Sequence, residues 1–220
     1  MNLLHASGTQ KYRQLLIVLT IIFLLSPFLK AGIGSIISDF LLLYSIVLII
    51  RSLTLPNSLL LVYLAIAGLA FCLQLNIGLG WAPSFNQAFD LLFQIIFALY
   101  IGGAAYLISH DILTAPRVTA DTVQGGISVY LLIGFAWALF YGMVATLDPD
   151  AFSQPMLLQD SYLRVLHFSF TTLTTLGYGD IVPVSEIALV LTNLEAIIGQ
   201  MYPAVFISVL VGGYLGHRSG

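Results

Sequence analysis

Residues 175–180 read Thr-Leu-Gly-Tyr-Gly-Asp, two glycines with one residue between them, closed by an acid. Lining a narrow path with successive main-chain carbonyls requires a backbone that opens positive φ at intervals. Glycine reaches that region at least cost, so Gly177 and Gly179 suit such a path. The chemistry on offer is a set of neutral backbone oxygens with a carboxylate, Asp180, at one end. Irregular backbone of this kind is tolerated at membrane depth only where it is buried in protein or lines a water-filled cavity.

The rest of the chain supplies a membrane for it. Of 220 residues, 59% are hydrophobic and 8% charged, far from the roughly 25% charged share of soluble domains. Apolar runs long enough to cross a hydrocarbon core, roughly 17–25 residues as helix, lie at about 13–29, 32–50, 58–79, 86–108, 123–147 and 185–215. A shorter run at about 160–174 is too brief to span and reads as a re-entrant half helix ahead of the glycine loop. The fold expected is an all-α membrane protein of six transmembrane helices, with that pore helix and loop between the fifth and sixth. The first run could serve as a signal peptide, but no small-x-small cleavage site follows Ser26-Pro27-Phe28-Leu29-Lys30, so it is read as a span.

Basic residues orient the spans, because cytoplasmic loops are enriched in Lys and Arg. With both termini cytoplasmic, Lys11, Arg13, Arg51, Arg117 and Arg218 fall inside, Lys30 outside, and Arg164 in the short segment. The same alternation puts Asp148, Asp150 and Asp180 on the outer side, where a cation would meet negative charge first. The net charge of −3 offers no footprint for nucleic acid. Cys72 has no cysteine partner in its own chain and reads as a small buried hydrophobe.

The stretch Phe168-Ser169-Phe170-Thr171-Thr172-Leu173-Thr174-Thr175-Leu176-Gly177-Tyr178-Gly179-Asp180 resembles the signature of the tetrameric potassium channel family. In that family the carbonyl oxygens of a Thr-Val-Gly-Tyr-Gly loop replace the ion's hydration shell, and Leu176 stands here where the family has valine. The resemblance implies four identical chains around one axis. It also implies permeant K+ at the carbonyls of Thr175, Leu176, Gly177 and Tyr178 and at the Thr175 hydroxyl, with Tyr178 packed behind the filter and Gly179 and Asp180 closing its outer end. The chain divides at the Pro116 joint into a four-helix peripheral half, 1–115, and a pore half, 116–220. The pore half comprises an outer helix at about 123–147, a pore helix at about 160–174, the filter at 175–180 and an inner helix at about 185–215.

Several positions depart from the family pattern. His167 and Phe168 occupy the places where many members carry a bracing pair of tryptophans, and Thr171 stands where some relatives carry an acid linked to the filter aspartate. His167 is placed to bond Asp180 or Tyr178. It reads either as a pH-sensitive support of the filter, since imidazole titrates near neutrality, or as a histidine held neutral by a local partner. On the last span, Gly199 sits where the family keeps a bending glycine, and Pro203 removes a backbone donor one turn later. The two mark a candidate gate hinge, with close helix packing the competing reading. That span would run about 46 Å at 1.5 Å per residue. Glu195, ionisable within it, either faces the cavity or bonds a neighbouring helix. Arg164 is expected to pair with Asp160 or an acid of the mouth, and Glu186 to be a solvated charge.

Six spans with a filter between the last two look like the voltage-gated architecture, but the fourth run holds only Asp90 as a charge, with His110 and Asp111 just past its end. Steep voltage dependence needs several gating charges per subunit, so little is expected. With few residues after the last span, no cytoplasmic ligand-binding domain is expected either, and a gating partner is not identifiable. The function implied is passive potassium conduction through a homotetramer in the cell membrane, plasma or inner, with no cofactor beyond the permeant ion and lipid as surroundings. The competing readings are a weakly selective cation channel on the same fold, a non-conducting membrane scaffold, and an intramembrane enzyme using His167 with Ser169 or Asp180. The enzyme is set aside because no second Ser, His or carboxylate constellation lies on the other helices.

Overall fold

The computed structural model describes residues 11–28, 44–45, 48, 61–62, 64–69, 72, 86–115, 118–157 and 163–216. The expected second and third spans, 32–50 and 58–79, lie largely outside these residues, as do Lys30, Arg51, Arg117, Asp160 and Arg218. Five helices are described: α1 (Lys11–Leu25), α2 (Asn86–Leu113), α3 (Ala120–Leu147), α4 (Leu163–Leu173) and α5 (Glu186–Gly216). Among the described residues, four helical stretches are long and apolar enough to cross a membrane: Lys11–Phe28, Gln87–Leu113, Ala120–Leu147 and Glu186–Val209.

Local chemistry sets the helix ends. A 3-10 turn, Ser26–Phe28, closes α1, as Pro27 disfavours helical backbone at Ser26. Ser26 Oγ also donates back to the Phe23 carbonyl at 2.8 Å. The helix α3 starts at an N-cap, Thr119, whose hydroxyl accepts from the Thr122 amide while the Thr122 hydroxyl accepts from the Thr119 amide. Such reciprocal capping satisfies two otherwise orphaned donors. The fourth run extends further than its apolar pattern suggested: α2 continues to Leu113, so His110 and Asp111 belong to the helix and do not follow it. Asp111 is used there, accepting from Lys11 Nζ at 2.7 Å and from the Tyr12 hydroxyl at 2.5 Å. Asp121, in the first turn of α3, accepts the Tyr12 amide at 3.1 Å. One acid from each neighbouring helix therefore fastens the start of α1.

Helix α3 is the hub. A Cβ at Gly125 would lie 2.8 Å from the Tyr12 ring of α1, one at Gly126 1.9 Å from the Phe206 ring of α5, and one at Gly134 2.6 Å from the Phe170 ring of α4. Small residues let membrane helices approach this closely. Phe170 also meets Phe135 edge-on at 5.7 Å and Phe23 of α1 at 4.6 Å, so α1 reaches the back of the short helix. Two buried clusters among the described residues form around α3. One joins α1, α2 and α3 through Leu15, Ile108, Leu132 and their neighbours. The other gathers Trp137, Tyr141, Phe152, Phe168 and Ile181 behind the glycine loop. Cys72 is exposed on the chain, against the expectation of a buried thiol; the run around it is apolar enough for lipid to cover it.

Candidate functional site

The short helix α4 has 11 residues, about 16 Å at 1.5 Å per residue, half the thickness of a hydrocarbon core. Val165, Phe168, Ser169, Thr171 and Leu173 are buried, a face of i, i+3, i+4 spacing laid against the hub. Phe168 packs in T-shaped contact with Tyr141 at 4.8 Å and Phe152 at 5.3 Å. An aromatic trio thus backs the loop where tryptophans were absent. Each such pair adds roughly 0.5–1.5 kcal/mol beyond area burial.

Beyond Leu173 the chain turns out of the helix, and every residue from Thr174 to Asp180 is exposed. The backbone of this loop is specific. Gly177 and Gly179 have φ of 51° and 76°, and Thr175 has φ of 57°, the one non-glycine among the described residues with positive φ. Positive φ thus recurs at every second position, Thr175, Gly177 and Gly179, with Leu176 and Tyr178 between. None of the described residues donates a hydrogen bond to the carbonyls of Thr175, Leu176, Gly177 or Tyr178. The loop is instead held by amides and edges: the Gly177 amide donates to the Thr171 carbonyl at 3.1 Å, and the Thr175 amide to Thr172 at 2.9 Å. Thr171 supports the loop through its main chain, while its hydroxyl turns back to the Phe168 carbonyl at 3.0 Å.

The Asp180 end of the loop is tied twice. His167 Nε2 lies 3.0 Å from Asp180 Oδ2, and its ring stacks on Tyr178 with centroids 5.9 Å apart and planes 6° from parallel. One imidazole therefore touches both residues it was placed to reach. Desolvation pushes the Asp180 carboxyl up, but the His167 hydrogen bond and the Asp180 and Ile181 backbone amides outweigh it and hold the carboxyl below the ordinary carboxylate range. A second tie comes from the loop after α3. Phe152 bridges to Pro183, the Ser153 amide donates to the Val182 carbonyl at 2.9 Å, and Gln154 Nε2 donates to the Asp180 carbonyl at 2.9 Å. Asp148, Asp150 and Glu186 are exposed near this end. Arg164 Nη1 donates to the Pro155 carbonyl at 2.9 Å, while Asp160, its anticipated partner, lies outside the described residues.

Glu195 is fully enclosed. It accepts from the Tyr141 hydroxyl and from Ser169 Oγ, both at 2.6 Å, and Ser169 lies 2.8 Å from the Gly134 carbonyl. The carboxyl bonds α3 and α4 from α5 and does not open to a cavity in this chain. Ser169 is buried in that network and points away from any pairing with His167. Gly199 packs on α4, its Cβ position 2.0 Å from the Leu173 carbonyl oxygen, and Pro203 lies inside an unbroken α5. The sequence did not single out Gln200, whose Nε2 donates to Thr175 Oγ1 at 3.1 Å, nor Tyr130, whose hydroxyl donates to the Leu173 carbonyl at 3.2 Å. A polar side chain one residue beyond a glycine in an apolar helix was the only available signal for Gln200.

Residues 126–212, which run through α3, α4, the loop and most of α5, match a family described as ion channel. The matched stretch supports an ion channel. No curated protein and no solved structure matches the chain. The ion channel family is not a family of enzymes, and the match together with the apolar helices points to a membrane protein.

Proposed function

We propose that four copies of this chain form a channel that conducts potassium passively across the cell membrane, with 175–180 as its filter and α4 as a re-entrant pore helix. The observation that carries this reading is the alternation of positive φ at Thr175, Gly177 and Gly179 along four carbonyls that the described residues leave without donors. Such carbonyls can replace the hydration shell of a cation. Backbone exposed over seven residues, Thr174–Asp180, is not stable against lipid and calls for further copies around it. An apolar stripe on α5, Ile187, Val190, Leu194, Ile197, Met201 and Val205, is also left uncovered by one chain. Its three- and four-residue steps are those of a helix that packs lengthwise against a partner.

In this reading the negative end of the α4 dipole faces a water-filled cavity and compensates a cation there. Asp180, Asp148 and Asp150 form an acidic outer mouth, and both chain termini are cytoplasmic. The intact Tyr178 favours potassium selectivity over a weakly selective cation pathway. Purified protein reconstituted in liposomes with a potassium gradient is expected to pass K+ far faster than Na+, with barium blocking the flux. Equal K+ and Na+ fluxes would make it the weakly selective channel, and no flux from a confirmed tetramer would make it a scaffold or a closed pore.

A further inference from the structure

The inner end of the filter loop carries a contact that the potassium reading does not itself require. Gln200 on α5 bonds Thr175 Oγ1 across 25 residues of sequence, so the contact exists only because α5 is fixed in height and rotation against α4. Two features fix it. Gly199 admits the Leu173 carbonyl into the space a side chain would fill, and Tyr130 of α3 holds the same carbonyl from the other side. With Leu173 clamped, the residue next to Gly199 is presented to the loop that begins two residues after Leu173. Thr175 needs holding there. It is β-branched, its φ is 57°, and bulky branched residues are outliers in that region.

We infer that Gln200 is a positioning residue that sets the ion specificity of the pore by acting through Thr175. Its amide N–H takes one lone pair of the Thr175 hydroxyl and leaves the other, with the Thr175 carbonyl, for a cation. The hydroxyl is thereby fixed in one rotamer and the residue in its left-handed conformation. In a ring of four chains this holds the position and number of the oxygens in the innermost cage, and both the size of such a cage and the field of its oxygens bear on which dehydrated cation it takes. Gln200 achieves this without charge, so the cation is neither repelled nor trapped. The inference rests on the potassium reading of the same loop.

The test compares wild-type protein with Gln200→Met and Gln200→Asn in liposomes, measuring K+ and Na+ influx, with assembly checked by size-exclusion chromatography. Methionine keeps the length and removes the donor, whereas asparagine keeps the amide but withdraws it by one methylene. Both variants are expected to assemble and to pass K+ within about twofold of wild type, while the K+/Na+ ratio falls roughly three- to tenfold, the worth of one hydrogen bond. A merely structural role would lower both fluxes together and leave the ratio alone. An assembled variant with the wild-type ratio overturns the inference, as does failure of both variants to assemble, because the bond would then belong to the fold and not to selection. Wild-type protein that passes K+ and Na+ equally overturns the potassium reading and this inference with it. Selective wild type with equally selective variants overturns the inference alone.

Discussion

Gly199 and Leu173 lie so close that a methyl group on the glycine would sit 2.0 Å from the leucine carbonyl oxygen. The obstruction is backbone, and no rotamer change relieves it. Gly199→Ala is expected to cost about 1–3 kcal/mol as overpacking, read as a fall in Tm of about 2–12 °C. Gly102→Ala is the control: nothing lies within 4 Å of its Cβ position, and better helix propensity should leave Tm unchanged or raise it by up to about 4 °C. Equal behaviour of the two variants would refute the packing account.

Glu195→Ala leaves the buried Tyr141 hydroxyl without its acceptor, at about 1–3 kcal/mol, while Ser169 Oγ loses one of two acceptors and keeps the Gly134 carbonyl at 2.8 Å. Glu195→Gln keeps an acceptor oxygen and should be milder by at least half. Tyr141→Phe combined with Ser169→Ala should make Glu195→Ala nearly neutral in a double-mutant cycle. Additive losses in thermal unfolding would show that the three groups do not act together.

The mouth of the loop has a definite pH sign. Asp180 is held below the ordinary carboxylate range, so its contribution to stability is complete above the unfolded aspartate value near ~3.9 and is lost as pH falls through the depressed folded value. Between pH 5 and 8 it remains a carboxylate, so the His167 contact faces a constant negative charge there. Comparing wild type with His167→Gln across that window checks this: pH dependence present in wild type and absent in the variant is the outcome expected if His167 supports the filter by its charge. A flat wild-type profile assigns His167 the role of a neutral brace.

Helix α2 carries Asp90, His110 and Asp111 and no Lys or Arg. Moving one charge across the field is worth about 2.3 kcal/mol per 100 mV, so this helix offers little to a changing potential. Conductance measured from −100 to +100 mV is expected to vary shallowly. A steep curve surviving neutralisation of Arg51 and Arg117 would contradict that.

The glycine loop was legible because its two glycines announce positive φ by residue type. Thr175 was not legible as the third left-handed residue, since threonine has no such habit and takes the conformation only under tertiary constraint. Glu195 could be flagged as an acid in an apolar helix, but its partners lie 54 and 26 residues away, and nothing in local spacing links them. Gln200 fell below notice for the same reason. The short helix and its neighbours were readable from apolar length, whereas the end of α2 was missed because Ser109, His110 and Asp111 broke the hydropathy pattern while the backbone carried on. The aromatic trio has no local signature, because the rings that back Phe168 are Tyr141 and Phe152, on other elements.

Three rings enter three glycine gaps on α3, one each from α1, α4 and α5. Rotating α3 by one residue, about 100°, would misalign all three gaps in the same instant. The helix therefore works like a key with three cuts: the arriving helices can seat only at one angle, and whatever turns α3 must disturb α1, α4 behind the glycine loop and α5 together.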